Sequence, residues 1–146
     1  LKRAKPLFDK IVVLIAVNSQ KNGLFSIEER VRVLNEVFDQ DNVITVDQIQ
    51  DDLMVHYCKD NKVSAIIRGL RAVGDFEYEY AITMMNRRLA PNVETIFFMT
   101  SEQYSFISST IVKEVASYGR SVEDLVPASV HKYLSHKFSH YPRKES

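Results

Sequence analysis

Apolar residues fall into four short runs along the chain, separated by stretches in which they recur at helical spacing. Residues 11–17 read Ile-Val-Val-Leu-Ile-Ala-Val, continuous and rich in β-branched side chains. That pattern predicts a strand covered on both faces of a parallel sheet. Residues 43–46, 63–67 and 93–99 repeat it as three further strands. Between the first two lies Ser26-Ile27-Glu28-Glu29, a capping-box sequence. Behind it Ile27, Val31, Leu34 and Phe38 share one helical face. Residues 51–60 predict a second helix. Residues 75–89 predict a third, with acids in its first turn and Arg87 and Arg88 in its last, as the helix dipole favours. Residues 108–118, closed by Gly119, and 127–137 predict two more.

Strands alternating with helices predict an α/β fold, a parallel sheet flanked by helices. No repeat, low-complexity segment or linker interrupts residues 1–146, so they read as one domain. The 75–89 helix carries two apolar stripes. Tyr78, Ala81, Ile82, Met85 and Leu89 form one; Phe76, Tyr80 and Met84 form the other. A helix on a monomer needs one such stripe, so the second predicts cover by another subunit, or else by another segment of the chain.

Composition narrows the class. The 146 residues are 45% hydrophobic and 26% charged, with a formal net charge of zero. That is an ordinary globular balance, without the basic excess of a nucleic-acid binder. Cys58 is the only cysteine, so no internal disulfide forms and a cytoplasmic setting is expected. No apolar run approaches the ~20 residues of a membrane span.

Ligands of open parallel sheets bind beyond the carboxyl ends of the strands. Here that means the loops 18–23, 47–52, 68–75 and 100–109. Lys21 stands in the first, where a lone lysine is ordinarily just solvated. The third begins Arg68-Gly69-Leu70-Arg71. Glycine lets a backbone pass close to a ligand, and guanidinium groups grip phosphate with two bonds. The stretch reads equally as a glycine turn with two surface arginines. The fourth holds Tyr104, Ser105, Phe106, Ile107, Ser108, Ser109 and Thr110, leading into a helix. Hydroxyls and free N–H groups there make an anion site. One serine would suffice for a cap. Glu79 is expected in a helical first turn, where the dipole alone accounts for it. His56, His131, His136 and His140 lack carboxylate or cysteine partners at metal-binding spacing, and there is neither a Walker loop nor a G-x-G-x-x-G. These residues together predict a phosphate-bearing ligand, a nucleotide foremost, and phosphoryl or nucleotidyl transfer governed by positioning and charge.

The stretch Ile66-Ile67-Arg68-Gly69-Leu70-Arg71-Ala72-Val73-Gly74-Asp75-Phe76-Glu77-Tyr78-Glu79 resembles the signature of the bacterial phosphopantetheine adenylyltransferase family. Tyr104-Ser105-Phe106-Ile107-Ser108-Ser109-Thr110-Ile111-Val112-Lys113-Glu114 resembles that family's second nucleotide-binding segment. Phe25-Ser26-Ile27-Glu28-Glu29-Arg30-Val31 resembles the start of its second helix. The resemblance runs from about residue 3 to about residue 136 and leaves the tail from Ser139 unassigned. It implies a Rossmann-like nucleotidyltransferase fold in a cytoplasmic hexamer. It also implies transfer of the adenylyl group of ATP, with Mg²⁺, to 4′-phosphopantetheine, giving dephospho-CoA and pyrophosphate in coenzyme A synthesis. By the same resemblance Lys21 and Arg68 hold the acceptor phosphate and serve catalysis, and Met54 lines the pantetheine site. Gly69, Leu70, Arg71, Glu79 and Tyr104, Ser105, Phe106, Ile107, Ser108, Ser109 and Thr110 bind ATP. Tyr104 stands where some members carry tryptophan.

The family's Thr/His-x-Gly-His motif belongs upstream of Leu1. Residues 1–8 read as the tail of a helix whose start is absent, so the resemblance implies an N-terminally incomplete chain. A fragment truly lacking that strand is expected to have a damaged sheet and little activity. Two other readings fit the same residues. One is a related nucleotidyltransferase with another phosphorylated acceptor, such as nicotinamide mononucleotide or glycerol phosphate. The other is a non-catalytic nucleotide- or CoA-binding module.

Overall fold

Parallel strand pairs, each flanked by helices, make up the computed structural model, which describes residues 1–17 and 23–139. Lys21, most of the 18–23 loop and His140 lie outside the described residues. Two compact units divide the chain, Leu1–Asp51 with Ser108–Ser146, and Asp52–Ile107.

The first unit opens with a helical turn, where the Leu1 carbonyl accepts from the N–H groups of Ala4 and Lys5, and a 3₁₀ turn at Lys5–Leu7. Strand β1 (Ile11–Val17) pairs in parallel with β2 (Ile44–Gln50), from Ile11 opposite Ile44 to Val17 opposite Gln50. Between them runs α1 (Ile27–Phe38). The capping box forms as the sequence predicts. Glu29 N–H donates to Ser26 Oγ, and Ser26 N–H donates to a Glu29 carboxylate oxygen. The same carboxylate accepts Lys137 Nζ at 2.9 and 3.0 Å, which ties α1 to α5 (Ala128–Phe138). Helix α4 (Ser109–Ser117) ends at Gly119, whose φ of 69° suits the left-handed position. Gly119 N–H donates to the Ala116 carbonyl and Arg120 N–H to that of Val115, a Schellman end. Ile11, Ile15, Val33, Ile44, Ile49, Val112, Ala116, Val122 and Leu134 are buried in this unit.

The second unit holds α2 (Met54–Asp60), β3 (Ala65–Leu70), α3 (Val73–Leu89) and β4 (Glu94–Met99). Strands β3 and β4 pair in parallel, from Ala65 opposite Glu94 to Leu70 opposite Met99. Val55, Cys58, Ile66, Ala90 and Val93 form its core, with Met54 and Val63 packed against them. Burial of the thiol pushes the Cys58 pKa up.

Several expected boundaries move, and β3 covers Ala65–Leu70 instead of 63–67, so Arg68, Gly69 and Leu70 of the expected 68–75 loop are strand residues in the ladder with β4. Strand β2 runs to Gln50, not 46, because the parallel ladder with β1 continues through Asp47 and Gln48 regardless of their polarity. Most of the predicted 47–52 loop is therefore strand. Helix α2 starts at Met54, not 51: Asp51 has a φ of 50°, and the Asp52 carboxylate accepts from Leu53 N–H and His56 Nδ1. Helix α3 starts two residues before the predicted 75, at Val73. Its burial also departs from the two-stripe reading. The buried residue at its centre is Thr83, 7% exposed, while Phe76, Tyr78, Tyr80, Met84, Met85 and Leu89 are all exposed. Phe76 still makes ring contacts with Tyr80 and with Phe97 of β4. No helix among the described residues is long and apolar enough to cross a membrane.

Candidate functional site

Strand β3 delivers Arg68 near its carboxyl end, and the chain then turns directly into α3. A helix that follows a strand so closely presents its early side chains to the strand's last residues. Two carboxylates of α3, one helical turn apart, take up the two arginines. Arg68 donates through Nε to Glu79 Oε2 at 2.7 Å and through Nη2 to Glu79 Oε1 at 2.5 Å. The Glu79 side chain is 13% exposed and that of Arg68 34%. The carboxylate beside it raises the Arg68 pKa above the ordinary guanidinium value, against burial, which works the other way. Since α3 begins at Val73, Glu79 lies beyond its first turn. The helix dipole therefore does not account for it; the arginine does.

Arg71 is held by Asp75. The carboxylate accepts from Arg71 N–H at 3.2 Å, Nε at 3.0 Å and Nη2 at 3.3 Å. Its pKa is lowered, first by the guanidinium and then by the backbone N–H of Arg71. Arg71 Nη1 donates to the Ile107 carbonyl at 3.2 Å. The two strand-end loops of this unit are thereby joined. The loop after β4 is itself tightly turned. Thr100 N–H donates to the Leu70 carbonyl, a 3₁₀ turn covers Glu102–Tyr104, and Ile107 N–H donates to the Tyr104 carbonyl. The Ser105 hydroxyl donates to the Glu102 carbonyl. Tyr104 and Phe106 are exposed.

Gly69 is exposed in β3, and a Cβ built there meets no heavy atom within 4 Å. Neither packing among the described residues nor a left-handed φ requires glycine at this position. Leu70 is buried, and Met54 packs partly into the core at the start of α2. Ser108, Ser109 and Thr110 belong to the other unit. There the Ser108 hydroxyl caps α4 by accepting from Ile111 N–H, while Ser109 and Thr110 are exposed. An open groove of about 740 Å³ between α1 and β2, lined by Val31, Glu36, Gln48 and Gln50 among others, contains none of the predicted residues.

The structure thus brings together Arg68, Gly69, Leu70, Arg71, Glu79 and the 104–107 loop. Sequence reasoning missed Asp75 as a partner of Arg71; the four-residue spacing between them was the available signal. The Arg68–Glu79 pair bridges strand to helix, and spacing offers no signal for it.

The family model described as cytidylyltransferase-like matches residues 1–115. Two proteins named phosphopantetheine adenylyltransferase, from Leptospira biflexa serovar Patoc strains Patoc 1 / Ames and Patoc 1 / ATCC 23582 / Paris, are each 51% identical to the chain over 139 residues. The alignments cover 95% of this chain and 86% of each relative.

Proposed function

We propose, from the premise that the chain belongs to the phosphopantetheine adenylyltransferase family of cytidylyltransferase-like transferases, that it moves AMP from ATP to 4′-phosphopantetheine. The observation that carries this reading is the pair of strand-end arginines, each fixed by its own α3 carboxylate. Two guanidinium groups held rigidly at a strand's carboxyl end suit a reaction between two phosphate-bearing substrates.

In this reading an acceptor phosphate oxygen attacks the α-phosphorus of ATP. The new P–O bond forms as the bond to the β-phosphate breaks, so pyrophosphate leaves and dephospho-CoA remains. Arg68 holds the acceptor phosphate through its Nη1 edge, since Nε and Nη2 are taken by Glu79. Arg71 faces the nucleotide phosphates with the N–H groups that Asp75 and Ile107 leave over. Gly69 gives the nucleotide close access to the backbone. Glu79 acts on the ligands through Arg68. By family resemblance Lys21 is assigned to the acceptor phosphate, Met54 to the pantetheine arm and residues 104–110 to the nucleotide. Positioning and charge stabilisation supply the catalysis.

Magnesium would come with ATP and would offset the charge of its phosphates. The described residues contain no group of three His, Cys, Asp or Glu side chains that could cage it. The exposed apolar residues of α3, with Tyr78 at 68% and Met85 at 57%, support a hexamer in which this helix is covered by another copy. A cytoplasmic location goes with the free Cys58.

The test is pyrophosphate release from ATP and Mg²⁺, with and without 4′-phosphopantetheine. Release that requires phosphopantetheine supports the reading. Release supported equally by nicotinamide mononucleotide or glycerol phosphate overturns the choice of acceptor, and binding without turnover overturns the enzyme. Sedimentation of the native protein and of Met85→Glu tests the assembly; a monomeric native protein overturns it.

A further inference from the structure

We infer that Asp75 is a positioning residue for ATP, acting through Arg71 and, by way of Arg71, on the loop of residues 104–107. The inference rests on the nucleotide role proposed for Arg71. Asp75 accepts three bonds from Arg71, one from its backbone N–H and two from its guanidinium. With Nε and Nη2 fixed on Asp75, Nη1 is aimed at the Ile107 carbonyl. The guanidinium therefore closes a short chain from the start of α3 to the loop after β4. That loop carries the exposed Tyr104 and Phe106 and is turned by its own backbone hydrogen bonds. One N–H on each terminal nitrogen of Arg71 has no partner among the described residues. Those N–H groups have a fixed direction only while Asp75 holds the others.

The electrostatics make the inference sharp. A carboxylate close to a polyphosphate repels it, so as a mere neighbour Asp75 would weaken ATP binding. Its removal would then tighten binding. As a positioning residue it spares the nucleotide the cost of ordering a long side chain and a loop, and its removal loosens binding. The two roles predict opposite signs.

The experiment is calorimetric titration of ATP into the full chain carrying Asp75→Asn, beside the unaltered protein. It is paired with KM values for ATP and 4′-phosphopantetheine and a thermal melt. The expected result is ATP affinity weakened by roughly three- to tenfold, with the ATP KM rising in step and the phosphopantetheine KM held. Unchanged or tighter ATP binding overturns the inference. So does an equal rise in both KM values that follows a lowered melting temperature, which marks a purely structural role. If the unaltered protein binds ATP but releases no pyrophosphate, the proposed function fails while the ATP titration still decides Asp75.

Discussion

Glu79 accepts two hydrogen bonds from Arg68, eleven residues earlier in the chain, at 2.7 and 2.5 Å. The pair locks the one guanidinium of β3 against the second turn of α3. Arg68→Ala leaves a mostly buried carboxylate without its partner, at a cost of about 1–3 kcal/mol. Urea unfolding of Arg68→Ala, Glu79→Ala and the double variant should show a coupling energy of the same order. In kinetics, Arg68→Ala should raise the phosphopantetheine KM much more than it disturbs folding. Normal phosphopantetheine binding by the variant would remove Arg68 from the acceptor site.

Gly69→Ala separates ligand access from folding. The added methyl meets no protein atom within 4 Å. Losing the extra chain entropy of glycine should leave stability unchanged or raise it by up to about 1 kcal/mol. ATP binding should nonetheless weaken, because the methyl occupies the space kept for the nucleotide. Denaturation and ATP titration on one preparation check both halves; undiminished ATP affinity would show that Gly69 is not a contact point.

Stability should depend on pH in the acid range. Lys137 first of all lowers the pKa of Glu29, Lys5 that of Asp41, Arg71 that of Asp75 and Arg87 that of Glu94. Each carboxyl binds its proton less tightly folded than unfolded. Their contribution is therefore full above the ordinary carboxylate range and is lost as the pH falls through the lowered folded values, below about 4. Melting temperatures should be level near neutrality and drop steadily below that point. Glu29→Gln should flatten part of the drop, since Glu29 serves both the capping box and Lys137.

Cys58 should be inert in the native protein. It is 3% exposed, and burial raises its pKa, so little thiolate forms near neutral pH. A chromogenic disulfide reagent should react only as fast as the protein opens, and freely in denaturant. Rapid reaction of the folded protein would contradict the packing of α2 on β3. Ile66→Ala, in the same core, should cost about 2–5 kcal/mol in urea unfolding.

Much of the fold was legible because its elements are local. The β-branched run 11–17 becomes β1, the capping box starts α1 at Ile27, and Gly119 closes α4. Each follows from backbone sterics and neighbouring hydrogen bonds. The polar second half of β2 was not legible, since Asp47 and Gln48 enter the ladder only because β1 lies alongside. Nor was it legible that Thr83 is buried at the centre of α3, or that Glu79 meets Arg68 of β3 and Asp75 meets Arg71 just after it.

The order of strands and helices, and the arginines, glycine and hydroxyls at strand ends, follow from residue type and short spacing alone. Which side chains become partners follows from packing. Arg68 and Glu79 meet, and Arg71 reaches Ile107, because parallel pairing brings the ends of β3 and β4 side by side and sets the start of α3 beside them. Pairing at such separations is fixed by how the elements pack, which no local pattern of residues records.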